Sequence, residues 1–233
     1  MVRFLIAAAL GLHPGSVPID VRSGPPLPLR VVAATRGPND PHDFDLSQLV
    51  PPGTRLRQLW YLHGGRKPDQ VLVEWIRTSR ISLYWQDLPS NVRWGLTLWT
   101  QTPRKLDFQA PWRGTALPLI KWPPGAPGLQ VRLADVTGDG HPDVLYEQWP
   151  GTNHGCGPHQ VAATLGGGQV WRVFNAAPMC ETNMYGVRGL LALDVPLWGP
   201  RDSVCCWSRV QKVRLRWTGR RWLVASARVL RVR

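Results

Sequence analysis

Hydrophobic and polar residues alternate in short runs along most of the chain after about residue 49. The clearest case lies near the C-terminus, where KVRLRW (212–217) alternates basic and apolar residues before a Thr-Gly turn. Alternation with a period of two is typical of β-strands, because successive side chains point to opposite faces of a sheet. Few segments show the 3.6-residue period of a helix. The pattern therefore predicts an all-β protein of short antiparallel strands.

The predicted strands are short, rich in β-branched and aromatic residues, and separated by turn-forming residues. They are 55–62, 70–77, 80–86, 94–101, 117–122, 129–136, 143–149, 160–165, 169–176, 189–198, 210–218 and 221–230. Residues 13–45 are rich in Pro, Gly and polar residues, which indicates a linker or loose N-terminal arm with one strand at 29–34.

Residues 1–12 form an apolar segment in which Arg3 precedes FLIAAALGL. This is the size of the apolar core of a secretory signal peptide and is too short to cross a bilayer. We therefore predict an export signal, with a buried first strand as the alternative, and a secreted or extracytoplasmic protein. No other apolar run approaches the roughly 20 residues of a membrane helix, so no transmembrane helix is predicted.

Four cysteines, Cys156, Cys180, Cys205 and Cys206, lie in the C-terminal half. An even number in one region of an exported chain predicts two disulfides, with three possible pairings. A bond between the adjacent Cys205 and Cys206 would need a strained ring, so we expect each to pair with Cys156 or Cys180. A zinc site at HGCGPH (154–159) is the alternative, but its spacing matches no structural zinc pattern.

Two segments of the chain match each other without a gap. YLHGGRKPDQVLVEW (61–75) aligns with DVTGDGHPDVLYEQW (135–149), and a glycine, the Pro-Asp pair and the final Trp are identical. Self-similarity of this kind is typical of repeated structural units. We therefore predict two related antiparallel β-meander modules, 46–122 and 123–233, each with one copy of this turn and strand.

The second copy has the composition of a calcium-binding loop. Asp135, Thr137, Asp139 and Asp143 stand at positions 1, 3, 5 and 9, and His141 at position 7 offers its main-chain carbonyl oxygen. Calcium takes about six to eight oxygen ligands, and the two loop glycines permit the positive-φ turns that fold a chain around an ion. Position 12 lacks the glutamate of an EF-hand, so the predicted site joins two strands.

A turn held together by its own Asx hydrogen bonds, without an ion, is the alternative for this loop. Three carboxylates so close together repel each other in the absence of a cation, which favours the metal site. In the first copy Tyr61, His63 and Gly65 replace the ligands and only Asp69 remains. The sequence therefore predicts one calcium site and not two.

DVTGDGHPDVL (135–145) resembles the calcium loop of FG-GAP/VCBS repeats, which occur in integrin α-chain β-propellers and in many bacterial secreted proteins. The GCG at 155–157 and CCWSRVQKVRLRWTGRRW (205–222) resemble small exported bacterial VCBS-repeat proteins. The resemblance implies modules like propeller blades, but two repeats cannot close a propeller, which usually takes about four to eight blades. It implies calcium ligation by Asp135, Thr137, Asp139, the main chain of His141, and Asp143.

The formal net charge is +13, and most of the positive residues are Arg. Such a charge indicates either a solvated surface or attraction to a polyanion such as an acidic cell-wall polymer, an anionic membrane or nucleic acid. The chain has no nucleic-acid recognition motif, which argues against the last of these. The 13 Trp are expected mainly to pack the sheets, with stacking on sugar rings as the alternative.

The chain has no G-x-S-x-G, H-E-x-x-H or phosphate-loop pattern, and no catalytic residue is predicted. The sequence predicts an exported, non-enzymatic, calcium-binding β-repeat protein. We expect it to be a structural or binding module that meets an envelope or extracellular partner. The alternatives are a protein that binds a glycan or an acidic polymer, and a hydrolase.

Overall fold

The computed structural model describes residues 24–38, 40–63, 69–77, 93–102, 111–119, 128–149, 156–165, 168–202 and 206–232. The described residues form strands and two short 3-10 helices, and none of these helices is long and apolar enough to cross a membrane. The predicted export signal and the predicted strand at 80–86 lie outside these ranges.

Three antiparallel sheets contain all the strands of the described residues. The N-terminal sheet has the order β2-β6-β5-β4-β3, with β2 (Val31–Arg36), β3 (Arg55–Leu62), β4 (Gln70–Arg77), β5 (Arg93–Gln101) and β6 (Pro111–Leu117). The middle sheet has the order β1-β10-β9-β8-β7, with β1 (Leu27–Pro28), β7 (Gly128–Ala134), β8 (Asp143–Trp149), β9 (Cys156–Leu165) and β10 (Gln169–Cys180). The C-terminal sheet follows the chain, with β11 (Asn183–Val187), β12 (Leu190–Leu197), β13 (Arg209–Trp217) and β14 (Trp222–Arg231).

The middle sheet packs between the other two and is buried on both faces. Val144 and its cross-strand partner Ala162 join a core formed with leucines of the N-terminal sheet, including Leu72. The next pair along the same strands, Leu145 and Val161, joins the core shared with the C-terminal sheet. Adjacent residues of one strand therefore enter two different cores, because their side chains point to opposite faces.

A buried amide also links the N-terminal and middle sheets. Gln70 of β4 donates from Nε2 to Thr100 Oγ1 at 2.7 Å and to Thr164 Oγ1 at 2.6 Å. Thr100 belongs to the N-terminal sheet, as Gln70 does, and Thr164 belongs to the middle sheet, so one N–H group bonds within the sheet and the other bonds across the interface.

The outer face of the N-terminal sheet is covered by the segment that precedes β3. Its 3-10 helices, Pro41–Asp43 and Leu46–Leu49, begin after Asp40 and Asp45, whose carboxylates accept hydrogen bonds from His42 N and Ser47 N. Phe44 and Leu49 then pack into a core with residues of the sheet. The described part of the predicted N-terminal arm is thus bound to the sheets, because β1 pairs with β10 and β2 with β6.

The predicted all-β class, with antiparallel meanders and no closed propeller, is confirmed. Residues 123–233, predicted as one module, contain the C-terminal sheet and four of the five strands of the middle sheet. The division falls after β10, where Glu181 has a φ of 50° and the chain turns into β11. The sequence did not indicate this boundary, since a positive φ at a non-glycine residue has no marker in composition.

The strand predicted at 117–122 overlaps β6 (Pro111–Leu117) only at Leu117; residues 118 and 119 are outside any strand, and residues 120–122 lie outside the described ranges. The segment PWRGTAL begins with proline and contains Gly114, and both residue types disfavour strands. Proline is tolerated as the first residue of a strand. Gly114 lies opposite Trp99 of β5 and leaves room for its ring, which a Cβ atom would approach to 3.0 Å.

A second pair of this kind, Trp75 opposite Gly95, lies on the same sheet. Trp75 Nε1 donates to Thr97 Oγ1 at 3.1 Å, and Trp99 Nε1 donates to the Leu49 carbonyl at 3.0 Å. These tryptophans therefore pack the sheet and its cover, as the simpler interpretation of the tryptophan content predicted.

Replacing Gly95 with alanine places a Cβ atom 2.0 Å from the ring of Trp75. We expect Gly95→Ala to lower the free energy of unfolding by about 1–3 kcal/mol, the usual cost of overpacking. Urea denaturation followed by tryptophan fluorescence measures it. Gly24→Ala is the control, because a Cβ there has no heavy atom within 4 Å. Equal stability of the two variants would contradict the steric role of Gly95.

Candidate metal loop

The loop from Asp135 to Asp143 closes the hairpin between β7 and β8. The two strands pair from Gly128 with Trp149 up to Ala134 with Asp143, so the predicted strand–loop–strand arrangement is confirmed. Gly138 and Gly140 have φ angles of 75° and 82°, in the left-handed region that favours glycine. The two glycines of the motif therefore have the conformational role that the sequence predicted.

The carboxylate of Asp135 lies against the backbone of the loop. Its Oδ1 accepts from Gly138 N at 2.7 Å and from Asp139 N at 3.1 Å, and its Oδ2 accepts from Gly140 N at 2.8 Å. Three successive N–H groups thus bond to the side chain at position 1. This side chain fixes the curvature of the loop.

The carboxylate of Asp143 anchors the other end of the loop. Its Oδ2 accepts from Val136 N and Thr137 N, both at 2.9 Å, and Thr137 Oγ1 lies 3.3 Å from its Oδ1. Asp143 is only 2% exposed. Burial, with a smaller contribution from the negative charge of Asp139, raises its pKa to about 7 against the opposing hydrogen bonds from Thr137 and Val136.

The remaining two predicted ligands lie at the tip of the loop. Asp139 is exposed, and its Oδ1 accepts from His141 N at 3.0 Å. The His141 side chain is buried, with Nδ1 at 3.1 Å from the Pro142 carbonyl oxygen and with a buried Nε2 that has no hydrogen-bond partner. The exposed carboxylate of Asp139 is the one that an ion from solution reaches first.

The donor chemistry of the loop fits calcium. A carboxylate offers about four acceptor positions, and Asp135 and Asp143 each use three of them on N–H and O–H groups of the loop. Oxygen lone pairs therefore remain for a hard cation. However, no three His, Cys, Asp or Glu side chains of the described ranges are gathered in a metal-binding arrangement. The loop is held by Asx-type bonds, and an ion would have to draw Asp139 inward.

The residues that flank the turn of the first copy make different contacts. Asp69, which aligns with Asp143, lies 3.0 Å from Nδ1 of His63. Tyr61, which aligns with Asp135, packs against His42 with ring centroids 4.0 Å apart and ring planes tilted by 33°. Gly65 lies outside the described ranges. An aromatic ring at Tyr61 thus replaces the carboxylate of Asp135, and an imidazole at His63 replaces the hydroxyl of Thr137.

The structure corrects the expected cysteine pairing. Cys156 and Cys180 form a disulfide, so neither bonds to Cys205 or Cys206. The two are direct cross-strand partners in β9 and β10, where neighbouring Cβ atoms lie within bonding reach. Sequence spacing alone did not reveal this register. Cys205 lies outside the described ranges, and Cys206 is exposed.

The alternative of a zinc site at residues 154–159 is wrong, because the sulfur of Cys156 is bonded to Cys180. His154 lies outside the described ranges. His159 is buried, and its Nδ1 and Nε2 each lie 3.0 Å from a backbone carbonyl oxygen, those of Gly157 and Thr182. This histidine therefore links β9 to the connection between β10 and β11.

The sequence did not predict a polar cluster between the middle and C-terminal sheets. Arg132 of β7 donates to Asn183 Oδ1 and to the Met184 carbonyl, and Glu147 Oε2 lies 3.0 Å from His159 Nε2. The alternation of residues along β7 and β8 places Arg132 and Glu147 on the strand face that meets the C-terminal sheet. This pattern is the sequence signal that could have indicated the cluster. The contacts of Arg132 fasten β7 of the middle sheet to β11 of the C-terminal sheet, and the contact of Glu147 with His159 joins two strands of the middle sheet.

No protein-family model, curated protein or solved structure matches the chain. The resemblance of residues 135–145 to FG-GAP/VCBS repeats therefore stays a prediction.

Asp135→Ala removes the acceptor of three loop N–H groups. We expect a loss of about 1–2 kcal/mol in unfolding free energy, because the exposed N–H groups regain water when the carboxylate is gone. Urea denaturation in the presence of a chelator measures this effect without calcium. Asp69→Ala is the control, since within the described ranges its carboxylate bonds to the His63 ring and to no backbone N–H group. If both substitutions cost the same, Asp135 does not hold the loop.

Proposed function

We propose that the chain is an exported, non-enzymatic calcium-binding β-sheet protein that serves as a structural or binding module at the cell envelope. The observation that carries this proposal is the loop at 135–143. It places three carboxylates in one hairpin turn whose sequence contains no Lys or Arg. The contacts of Asp135 and Asp143 are all to N–H and O–H groups.

Electrostatics supports an ion at this loop. A buried carboxylate such as Asp143 is costly unless its charge is offset, and hydrogen bonds from backbone dipoles offset it only in part. Asp139 adds a second negative charge nearby. When bound, calcium supplies the missing positive charge, and Asp135, Thr137, Asp139, His141 and Asp143 would hold it through oxygen atoms.

The position of the loop gives such an ion a structural role. The loop sets the start of β8, and β8 contributes Val144 to one core and Leu145 to the other. An ion that binds only the folded loop stabilises the fold by RT ln(1 + [L]/Kd), or about 2.7 kcal/mol at a hundredfold excess over Kd. Thr137 stands where a carboxylate would be a fourth charged ligand, which is compatible with the weak affinities, on the order of 0.1–1 mM, of extracellular calcium modules.

The disulfide between Cys156 and Cys180 supports export, because disulfides persist in oxidising compartments. The apolar segment at 1–12 supports the same conclusion. Buried polar groups of the described ranges, such as Gln70 and His159, serve as contacts between strands, which favours a structural role over a catalytic one.

The test separates the charge of Asp139 from its hydrogen bond. Asparagine at 139 still accepts from His141 N but lacks the negative charge. In the presence of chelator, we expect Asp139→Asn and the unmodified protein to have the same Tm. In millimolar calcium, the Tm of the unmodified protein should rise, and Asp139→Asn should lose most of that rise. Differential scanning fluorimetry with calcium and with EGTA measures both.

Asp45→Asn is a matched control. Asp45 accepts from Ser47 N at 3.0 Å, the same local bond that Asp139 makes, but it lies at a 3-10 helix outside the loop. This variant should keep the full response to calcium. The calcium assignment fails if the unmodified protein melts at one temperature in calcium and in EGTA, or if both variants lose the response equally.

A further inference from the structure

The outer face of the C-terminal sheet carries a group of cations. Lys212, Arg214 and Arg216 alternate along β13 with Val213 and Leu215, which enter the core shared with the middle sheet. The three basic side chains therefore point away from that core. Arg228 of β14 is the direct cross-strand partner of Lys212 and joins the same face. We call these four residues the basic face.

One carboxylate lies among the four cations. Asp194 of β12 accepts from Lys212 Nζ at 2.7 Å and Arg214 Nη1 at 3.3 Å, and from the Tyr185 hydroxyl at 3.2 Å. Burial raises its pKa, but these hydrogen bonds outweigh burial and bring the pKa below its usual value. Asp194 thus stays charged and fixes Lys212 and Arg214 in place.

The other two cations have no partner charge among the described residues. Arg216 and Arg228 are exposed, and neither contacts a carboxylate in the part of the chain that the structure describes. The sequence has no acidic residue after Asp202. The basic face therefore combines two fixed cations with two uncompensated ones, and it keeps a net positive charge.

The basic face lies at one end of the stack of sheets. At the opposite end, Phe44 and Leu49 cover the N-terminal sheet with apolar side chains. The two ends thus differ in chemistry, and the charged one is open to solvent at Arg216 and Arg228. Charge complementarity points to an anionic partner for this end.

We propose that the basic face binds a linear polyol-phosphate polymer, with Lys212, Arg214, Arg216 and Arg228 contacting its phosphates. Alternate residues of a strand lie about 7 Å apart, so β13 presents a row of cations suited to regularly repeated phosphates. Arginine, which supplies three of the four, binds phosphate in a bidentate manner. The cationic row runs along an open sheet, so an extended chain can follow it.

A nucleic acid fits this face less well. Single-stranded nucleic acids bind by stacking their bases on aromatic side chains. Tyr185 is the aromatic residue that the described strands place on this face, and Arg214 lies over its ring at 5.2 Å. The guanidinium of Arg214 therefore occupies the ring face on which a base would stack. The cations of the basic face can bind phosphates without a base.

The test measures binding of purified full-length protein to poly(glycerol phosphate) at several NaCl concentrations. In Arg216→Gln/Arg228→Gln we expect affinity to fall at least about tenfold, the effect of losing charge-assisted hydrogen bonds. The slope of log K against log salt should also become shallower by roughly one for each lost contact. Both side chains are exposed, and circular dichroism checks that the variant is folded.

Arg36→Gln/Arg113→Gln is the matched control, because it removes the same charge from exposed positions of the N-terminal sheet. It should bind within about twofold of the unmodified protein. The proposal is overturned if both double variants weaken equally, or if the unmodified protein does not bind poly(glycerol phosphate). It is also overturned if polygalacturonate or single-stranded DNA binds as tightly. Asp139→Asn should bind the polymer normally, which separates this result from the calcium test.

Discussion

The burial of the middle sheet on both faces is the constraint on which the rest of the structure depends. Its strands cannot follow the simple rule of one apolar and one polar face, because each face meets another sheet. Val144 and Leu145, adjacent in β8, enter separate cores. Any displacement of this strand therefore disturbs two interfaces at once.

This constraint explains why the loop at 135–143 is held so firmly. The loop sets where β8 begins, and a slip of one residue would exchange the residues that face the two cores. Asp135 and Asp143 accept six hydrogen bonds from the loop itself. A metal ion would reinforce a turn that already has a defined shape, which is consistent with a structural role for calcium.

Much of the fold follows from local sequence patterns. The strands at 55–62, 70–77 and 143–149 agree with the predicted bounds, because apolar residues and flanking turn residues define them locally. β6 was not predicted because Gly114 disfavours a strand in the sequence. Its presence there is explained by Trp99 on the neighbouring strand, whose ring needs the space. The disulfide was not predicted because it depends on the register of β9 and β10, which brings Cys156 and Cys180 opposite each other. The loop residues were found from spacing, but their hydrogen bonds became visible only in three dimensions.

Gln70 has a consequence for how the sheets align. Apolar side chains between two sheets make contacts that change gradually if one sheet slides over the other. The amide of Gln70 has only two N–H groups, and both donate hydrogen bonds, one to the hydroxyl of Thr100 and one to the hydroxyl of Thr164 on the other sheet. A small shear would leave a buried donor without an acceptor, at a cost of about 1–3 kcal/mol. The amide thus selects one relative position out of many that the apolar contacts alone would permit.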